Sequence, residues 1–229
     1  VIYRRAAARV EETIERLSGP PPPLPSAGAA EVQAPVSNLD EAEYGRSVER
    51  AKEYIRAGDI IQVVLSQRYS QPLAVHPFNA YRALRDINPS PYMYYLDLGD
   101  EVIVGASPEV MVKVEDRDVA VRPIAGTIRR GCDDAEDRRL VAEMLADPKE
   151  QAEHVMLLDL ARNDVGRVAI TGSVQVAERM TVERYSHVNH IVSHVSGTMR
   201  PECNRFDAFR ATFPAGTLSG APKVRAMEI

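Results

Sequence analysis

The chain has 229 residues, of which 45% are hydrophobic, and a formal net charge of −5. This hydrophobic content is typical of a globular protein with a core, and the length suffices for one large domain or two small ones. The net negative charge gives no sign of the basic surface that binds nucleic acid. A small anionic substrate therefore has to be held by local positive groups or by a metal ion.

The two cysteines, Cys132 and Cys203, are far apart and have no metal-site spacing. We interpret them as free thiols of a reduced compartment and expect a cytoplasmic protein. No apolar run reaches the length of about 18 residues that a membrane span needs. Because the chain starts at Val1 without a signal peptide or an initiator methionine, we expect further sequence before it.

The first segment, 6–17, is predicted to be a helix, because Val10, Ile14 and Leu17 recur at helical spacing. The proline-rich stretch 18–28 predicts an exposed connector, and recognition by a proline-binding module is the alternative. We therefore divide the chain into a terminal region with its connector, 1–37, and a larger domain, 38–229.

The next part of the chain predicts one long helix followed mostly by strands. The helix runs from about Asp40 to Ala57 and stops at Gly58. A shorter helix is expected over 79–87. The predicted strands cover 60–68, 92–98, 102–105, 110–114 and 119–122. Strands at hairpin spacing, without regular alternation with helices, predict an antiparallel α+β fold.

Helices dominate the last third of the chain. One is expected to begin near Asp133, and a second has an Asp147 cap followed by Pro148 and should reach about residue 163. The remaining predicted elements are a strand at 188–195, a helix at 204–212, a glycine-rich loop at 214–220 and a helix from Pro222. Because this last helix stops after two turns at Ile229, we expect more chain after it.

The second of these helices carries the first candidate site. Glu150, Glu153, His154 and Leu157 share one face. Two carboxylates one turn apart suit Mg²⁺, which prefers a few oxygen ligands together with water and substrate. The alternatives are that Glu150 only caps the helix, that Glu153 is solvated and that His154 is a core residue.

The glycine-rich loop is the second candidate. Gly216 and Gly220 allow a close backbone approach, and Thr217 and Ser219 add hydroxyl groups just before a helix N-terminus. This pattern suits a carboxylate or phosphate but lacks P-loop spacing. An ordinary loop with a capping serine is the alternative.

Two weaker candidates remain. Gly126 and Thr127 follow a predicted strand and can present a backbone group and a hydroxyl to a ligand. His187, His190 and His194 lie on or beside another strand, where His190 and His194 face one way. This spacing is poor for zinc and favours a single functional histidine.

Taken in order, six segments between Asp40 and Ile229 resemble the chorismate-utilising enzymes, and among them component I of anthranilate synthase. The segments are 58–67, 105–109, 124–127, 149–167, 185–193 and 214–229. The resemblance implies an α+β fold of two stacked, largely antiparallel β-sheets flanked by helices, with the site between the sheets. It identifies 38–229 as a chorismate-binding catalytic domain.

The resemblance also implies ligands. Glu153 corresponds to a direct Mg²⁺ ligand and Glu150 to its nearby partner, and the family's other metal-binding glutamate and its substrate arginine are expected beyond Ile229. The residues implied to bind the substrate chorismate are Gly126, Thr127, Gly216 and Ser219. The residues implied to be catalytic are Gln62, Glu109, His190 and Thr217, the last of which lies in the loop that holds the substrate.

Two positions separate the members of the family. Isochorismate-forming relatives have a lysine base where this chain has Gln62, and many aminodeoxychorismate synthases have a lysine nucleophile at Ala125. Both departures favour anthranilate synthase. An aminodeoxychorismate synthase, a phenazine-type aminodeoxyisochorismate synthase, and a non-catalytic tryptophan- or glutaminase-binding module remain alternatives.

The implied reaction uses ammonia from a partner glutaminase. Glu109 corresponds to the general acid for the departing C4 hydroxyl, and burial would give it the raised pKa that this role needs. His190 corresponds to the residue that assists loss of the enolpyruvyl side chain as pyruvate. Pro91, Tyr92 and Met93 resemble part of a tryptophan feedback site.

Overall fold

The computed structural model describes residues 2–20, 23–25, 33–185 and 187–229. The described residues fall into two compact units, one within 1–34 and 71–106 and the other within 35–70 and 107–229. The predicted boundary after residue 37 stays a prediction, since the observed units are discontinuous in sequence. Part of the predicted proline-rich connector lies outside the described residues.

The helices are α1 (Ile2–Ser18), α2 (Glu41–Ala57), α3 (Pro77–Ile87), α4 (Asp134–Ala146), α5 (Pro148–Gly166), α6 (Arg205–Thr212), α7 (Gly216–Ser219) and α8 (Lys223–Glu228). The strands are β1 (Val36–Ser37), β2 (Gln62–Val63), β3 (Tyr69–Ser70), β4 (Tyr92–Asp97), β5 (Val102–Ser107), β6 (Lys113–Glu115), β7 (Asp118–Val121), β8 (Ile124–Arg129), β9 (Gln175–Arg184), β10 (Val188–Thr198) and β11 (Gly220–Ala221). Among the described residues, no helix is both long and apolar enough to cross a membrane.

The smaller unit contains α1, α3 and the paired strands β4 and β5. His76 caps α3 by accepting a hydrogen bond from the backbone N–H of Phe78 at 3.1 Å. Phe78 and Tyr81 of α3 pack against Tyr95 of β4, with ring centroids 5.3 and 6.1 Å from that tyrosine. This aromatic cluster joins the helix to the hairpin.

The larger unit is organised around a five-stranded sheet. Its central strand β10 pairs along one edge with β9, and along the other first with β8 and then with β7. Strand β6 continues the sheet beyond β7. These pairings are antiparallel, which confirms the predicted α+β class.

Helix α5 covers this sheet and supplies its core. Leu158 and Val165 pack with Val119 and Val195, and both Val119 and Val195 are fully buried. Burial of each of these side chains contributes roughly 1.5–3 kcal/mol. The polar residue His154, also fully buried, places Nε2 2.7 Å from the Ser193 hydroxyl of β10. The helix is therefore fixed to the strand by packing and by one internal hydrogen bond.

The predicted stop at Gly58 and the predicted cap at Asp147 are confirmed. Asp40 forms a capping box with Glu43 at the start of α2, and Gly58 ends that helix with a φ of 81°. Asp147 caps α5 through the N–H of Lys149. Helix α5 ends at Gly166, beyond the predicted end at 163.

Several predicted strands differ from the observed ones. In the predicted strand 60–68 only Gln62–Val63 forms a ladder, because β2 pairs with a partner of two residues, β11. The glycine-rich loop contains the single helical turn α7. Strand β9 was not predicted, since Met180 has a positive φ of 53° and the strand's register with β10 shifts, so its polar and apolar residues do not alternate.

Candidate active site

A cleft of about 410 Å³ in the larger unit brings most of the predicted site residues together. Its walls are formed by Gln62, Glu109, Ile124, Ala125, Gly126, Thr127, Glu150, Glu153, Leu157 and Thr217. These residues come from β2, β8, α5, α7 and the segment after β5. Positions far apart in sequence therefore meet at one polar surface.

Helix α5 supplies the two acidic groups of the cleft. Because His154 and Leu157 are buried, the same helical face that anchors α5 also carries Glu150 and Glu153 to the cleft wall. Lys149 Nζ lies 3.7 Å from Glu150 Oε1 and partly offsets its charge. Among the described residues no group of three His, Cys, Asp or Glu side chains is arranged to hold a metal ion.

A glycine bulge brings β8 close to these carboxylates. Gly126 has a φ of +67° and is the extra residue where Thr127 pairs with His190 and Ala125 with Ile191. A Cβ atom at Gly126 would lie 2.9 Å from Ile191 Cδ1 and 3.3 Å from Glu150 Oε2. Glycine is therefore required by backbone angle and by space. Gly126 and Thr127 lie within a strand, not after one as predicted.

His190 contacts the cleft wall without being one of its lining residues. Its Nδ1 atom lies 3.0 Å from Thr127 Oγ1 and 3.2 Å from the carbonyl oxygen of Gly126. Because a carbonyl can only accept, the Gly126 contact favours the tautomer with hydrogen on Nδ1. That tautomer leaves Nε2 as an acceptor.

Glu109 lies in surroundings that favour the neutral form of its carboxyl group. Burial raises the pKa of its carboxyl group above the ordinary value. Besides the main cleft, Glu109 lines a smaller cavity of about 40 Å³ together with Asp164, Thr212 and Thr217. A protonated carboxyl group is a hydrogen-bond donor toward a ligand in the cleft.

Gln62 contributes an unpaired acceptor. Its Oε1 atom is buried and has no hydrogen-bond partner among the described residues. Pairing between β2 and β11 holds the residue in place, since Gln62 is opposite Ala221. A buried acceptor without a partner costs free energy.

Not all of the predicted site residues in the glycine-rich segment reach the cleft. Thr217 lines both cavities, and Gly216 lines the smaller one, where a Cβ atom would lie 2.5 Å from Leu160 Cδ1. Ser219 is buried, and its hydroxyl donates to the carbonyl oxygen of Ala215 at 3.3 Å. The structure brings Thr217 to the cleft but does not bring the Ser219 hydroxyl there; a substrate-binding role for Ser219 stays a prediction.

The three residues predicted for tryptophan binding belong to the smaller unit. Tyr92 and Met93 begin β4, directly after Pro91, and Tyr92 is exposed. Their role in feedback stays a prediction.

Sequence reasoning missed a buried ion pair. Lys223 Nζ lies 2.5 Å from Asp164 Oδ2, and each side chain is less than a tenth exposed. The two residues are distant in sequence and have no shared motif. The available signal was a lysine at the start of a helix, where a positive charge is unfavourable unless it has a partner.

A family model described as "chorismate binding enzyme" matches residues 3–229. The chain belongs to this family. Similar relatives include anthranilate synthase component 1 of Thermus thermophilus, which is 56% identical over 98% of the chain, and that of Pseudomonas aeruginosa, 52% identical over 99%. The chain spans about half the length of the curated relatives it matches, 48% and 47% for these two.

Solved structures of chorismate-binding enzymes have the same fold. Anthranilate synthase component I from Streptococcus pneumoniae matches 96% of the chain and 49% of its own, with a TM-score of 0.82 and 42% identity. MenF, the isochorismate synthase of Escherichia coli, matches 98% of the chain and 52% of its own, with a TM-score of 0.74. At 21% identity, the MenF match concerns the fold alone.

Proposed function

We propose that this chain carries the chorismate site of an anthranilate synthase, which converts chorismate and ammonia to anthranilate, pyruvate and water in the first step of tryptophan biosynthesis. The observation that carries the proposal is the single cleft lined by Gln62, Glu109, Thr127, Glu153 and Thr217. The relatives named anthranilate synthase component 1 support the same reaction.

The first step needs a general acid and hydrogen-bonding groups that hold the substrate. The Thr217 and Thr127 hydroxyls and the backbone at Gly126 can donate and accept hydrogen bonds from the cleft wall. Glu109, whose pKa is raised by burial, gives its proton to the departing C4 hydroxyl, which leaves as water.

Ammonia then adds at C2, and the wall composition suits this nucleophile. Gln62 lines the cleft, and its amide cannot act as a base toward water. Ala125 also lines the cleft and offers no amine to compete as a nucleophile.

The second step removes the enolpyruvyl group as pyruvate and makes the ring aromatic. When the C3–O bond breaks, the ring loses its C2 proton and the enolpyruvyl fragment takes up a proton to become pyruvate. His190 is held by Thr127 and Gly126 through Nδ1, which leaves Nε2 free to assist this proton transfer. His190 is the residue we assign to this elimination.

Magnesium is part of the proposal. Glu150 and Glu153 fit a hard cation, because their carboxylates reach one cleft and Mg²⁺ retains water and substrate ligands. When bound, the ion would offset the negative charge of the substrate carboxylates. We expect calorimetry with Mg²⁺ to detect binding that Glu153→Gln weakens at least tenfold. Equal affinity in this variant would remove Glu153 from the site.

The partners follow from the reaction. Ammonia comes from a glutaminase subunit, and tryptophan acts as a feedback inhibitor at a site that includes Pro91, Tyr92 and Met93. We place the protein in the cytoplasm, which agrees with Cys132 and Cys203 being free thiols.

Product identification tests the reaction. The full-length protein, supplied with chorismate, ammonium and Mg²⁺, should release anthranilate and pyruvate in equal amounts. An aminated product that retains its enolpyruvyl group would indicate an aminodeoxychorismate or aminodeoxyisochorismate synthase instead. Tryptophan binding without consumption of chorismate would favour a non-catalytic module.

A further inference from the structure

Lys223, the first residue of α8, is a buried cation with two partners. Its Nζ atom donates to Asp164 Oδ2 at 2.5 Å and to the carbonyl oxygen of Thr212 at 2.9 Å. A buried charge is tolerated only when it is paired and hydrogen-bonded, and both conditions are met here.

These contacts close a loop that carries a site residue. Thr212 ends α6 and Lys223 begins α8, so the ammonium group connects both ends of the segment 213–222, which contains Thr217. The contact with Asp164 fixes the same point to α5, the helix of Glu150 and Glu153.

The ion pair also adjoins the cleft residues. Asp164 and Thr212 line the cavity of about 40 Å³ whose other walls include Glu109 and Thr217. A shift of the lysine contacts would therefore move the wall that Thr217 and Glu109 share.

We propose that Lys223 is a positioning residue that, by joining Asp164 to the Thr212 carbonyl, fixes Thr217 relative to Glu109 and to the glutamates of α5. The kinetic part of this inference rests on the proposed function, whereas the structural part does not. Lys223 itself does not line the main cleft, so it acts through Thr217.

A purely structural role makes a different prediction. Replacing a buried ion pair by apolar side chains of similar volume often preserves stability, while removing one partner does not. Burial raises the pKa of Asp164 and Lys223 opposes this effect, so Asp164 alone would be an unpaired buried group. The double variant Lys223→Met/Asp164→Leu therefore separates stability from positioning.

The experiment compares wild type, Lys223→Met, and the double variant in the full-length protein by Tm, kcat and KM, and amide hydrogen exchange. Lys223→Met alone should lower Tm. The double variant should recover most of the Tm but lose about 100-fold in kcat, the size expected for a small misplacement of a reacting group. The amides of Leu218 and Ser219, which bond to Ala215 O, should exchange at least tenfold faster.

The matched control is Arg162→Met on α5, since Arg162 pairs with Asp159 at 3.0 Å on the exposed surface. It should leave kcat and exchange unchanged. Recovery of wild-type kcat by the double variant would overturn the positioning role. If wild type makes no anthranilate, the proposed function fails, but amide hydrogen exchange still tests the positioning role. Unchanged protection of the Leu218 and Ser219 amides in the double variant would overturn the inference.

If the double variant does not fold, Lys223→Arg replaces it. Arginine keeps the charge, but its planar fork cannot occupy the same point between a carboxylate and a carbonyl. We expect a near-normal Tm with reduced kcat and faster exchange, and a normal kcat would overturn the proposal.

Discussion

At the scale of single residues, the burial of Glu109 bears on its proposed role as a general acid. A carboxyl group can serve as an acid near neutral pH only if its surroundings favour the neutral form, and partial burial in the cleft wall does so by raising the pKa. The same burial makes the ionised form unfavourable for folding. Activity and stability at this position are therefore expected to oppose each other.

Glu109→Gln should reduce kcat by a factor of about 100 or more, because glutamine cannot donate the proton. Its effect on stability depends on pH. With a raised pKa, the folded protein binds the proton more tightly than the unfolded chain, so wild type loses stability as pH rises above the unfolded-state pKa of about 4.3. Thermal unfolding should show equal Tm values near pH 4, within about a degree, and a higher Tm for Glu109→Gln at about pH 8.

The exposed Glu115→Gln is the control for this comparison and should follow wild type at both pH values. If Glu109→Gln also followed wild type, the carboxyl group would have no raised pKa in solution.

Single residues also show what the sequence could reveal. Gln62, Glu109, Glu153 and Thr217 were predicted from ordered motifs, because the resemblance assigns chemistry position by position. The pair Lys223–Asp164 was not predicted, because pairing between distant side chains depends on tertiary packing.

At the scale of elements, the bulge in β8 decides how closely the sheet approaches α5. Gly126 leaves room for Ile191 on one side and for Glu150 on the other. The bulge was not predicted, because it depends on the register between β8 and β10. The Asp147 cap and the helix stop at Gly58 were predicted, since each depends only on residues within about one turn.

Gly126→Ala should lower the free energy of unfolding by about 2–3 kcal/mol. Strain at positive φ contributes roughly 1 kcal/mol and the tight contact with Ile191 about 1–2 kcal/mol. Denaturant unfolding measures the loss, and adding Ile191→Val should recover part of it by freeing the space at Cδ1.

Gly166→Ala on α5 is the matched control, because a Cβ atom there meets nothing within 4 Å. It should be neutral or slightly stabilising. If Gly126→Ala were equally neutral, the bulge would not be present in solution.

At the scale of the whole molecule, the predicted catalytic and regulatory residues are divided between the two units. The cleft residues belong to the larger unit, and Pro91, Tyr92 and Met93 to the smaller one. The antiparallel α+β class was predictable from strand spacing and the absence of regular βαβ alternation. The discontinuous division was not, because residues 71–106 join the first unit through tertiary contacts that no local pattern encodes.

This division predicts two separable footprints in hydrogen exchange. Chorismate with Mg²⁺ should slow exchange in β8, α5 and α7, whereas tryptophan should slow it first around residues 91–93. Tryptophan protection confined to the cleft elements would contradict the predicted feedback site, and chorismate protection confined to the smaller unit would contradict the cleft assignment.

The most direct test of the central claim is anthranilate fluorescence from the full-length protein with chorismate, ammonium and Mg²⁺, compared with Glu153→Gln and the surface variant Arg162→Met. We predict Mg²⁺-dependent anthranilate formation in wild type and Arg162→Met, and a loss of at least 100-fold in Glu153→Gln. Undiminished anthranilate formation by Glu153→Gln, or consumption of chorismate without anthranilate, would contradict the account.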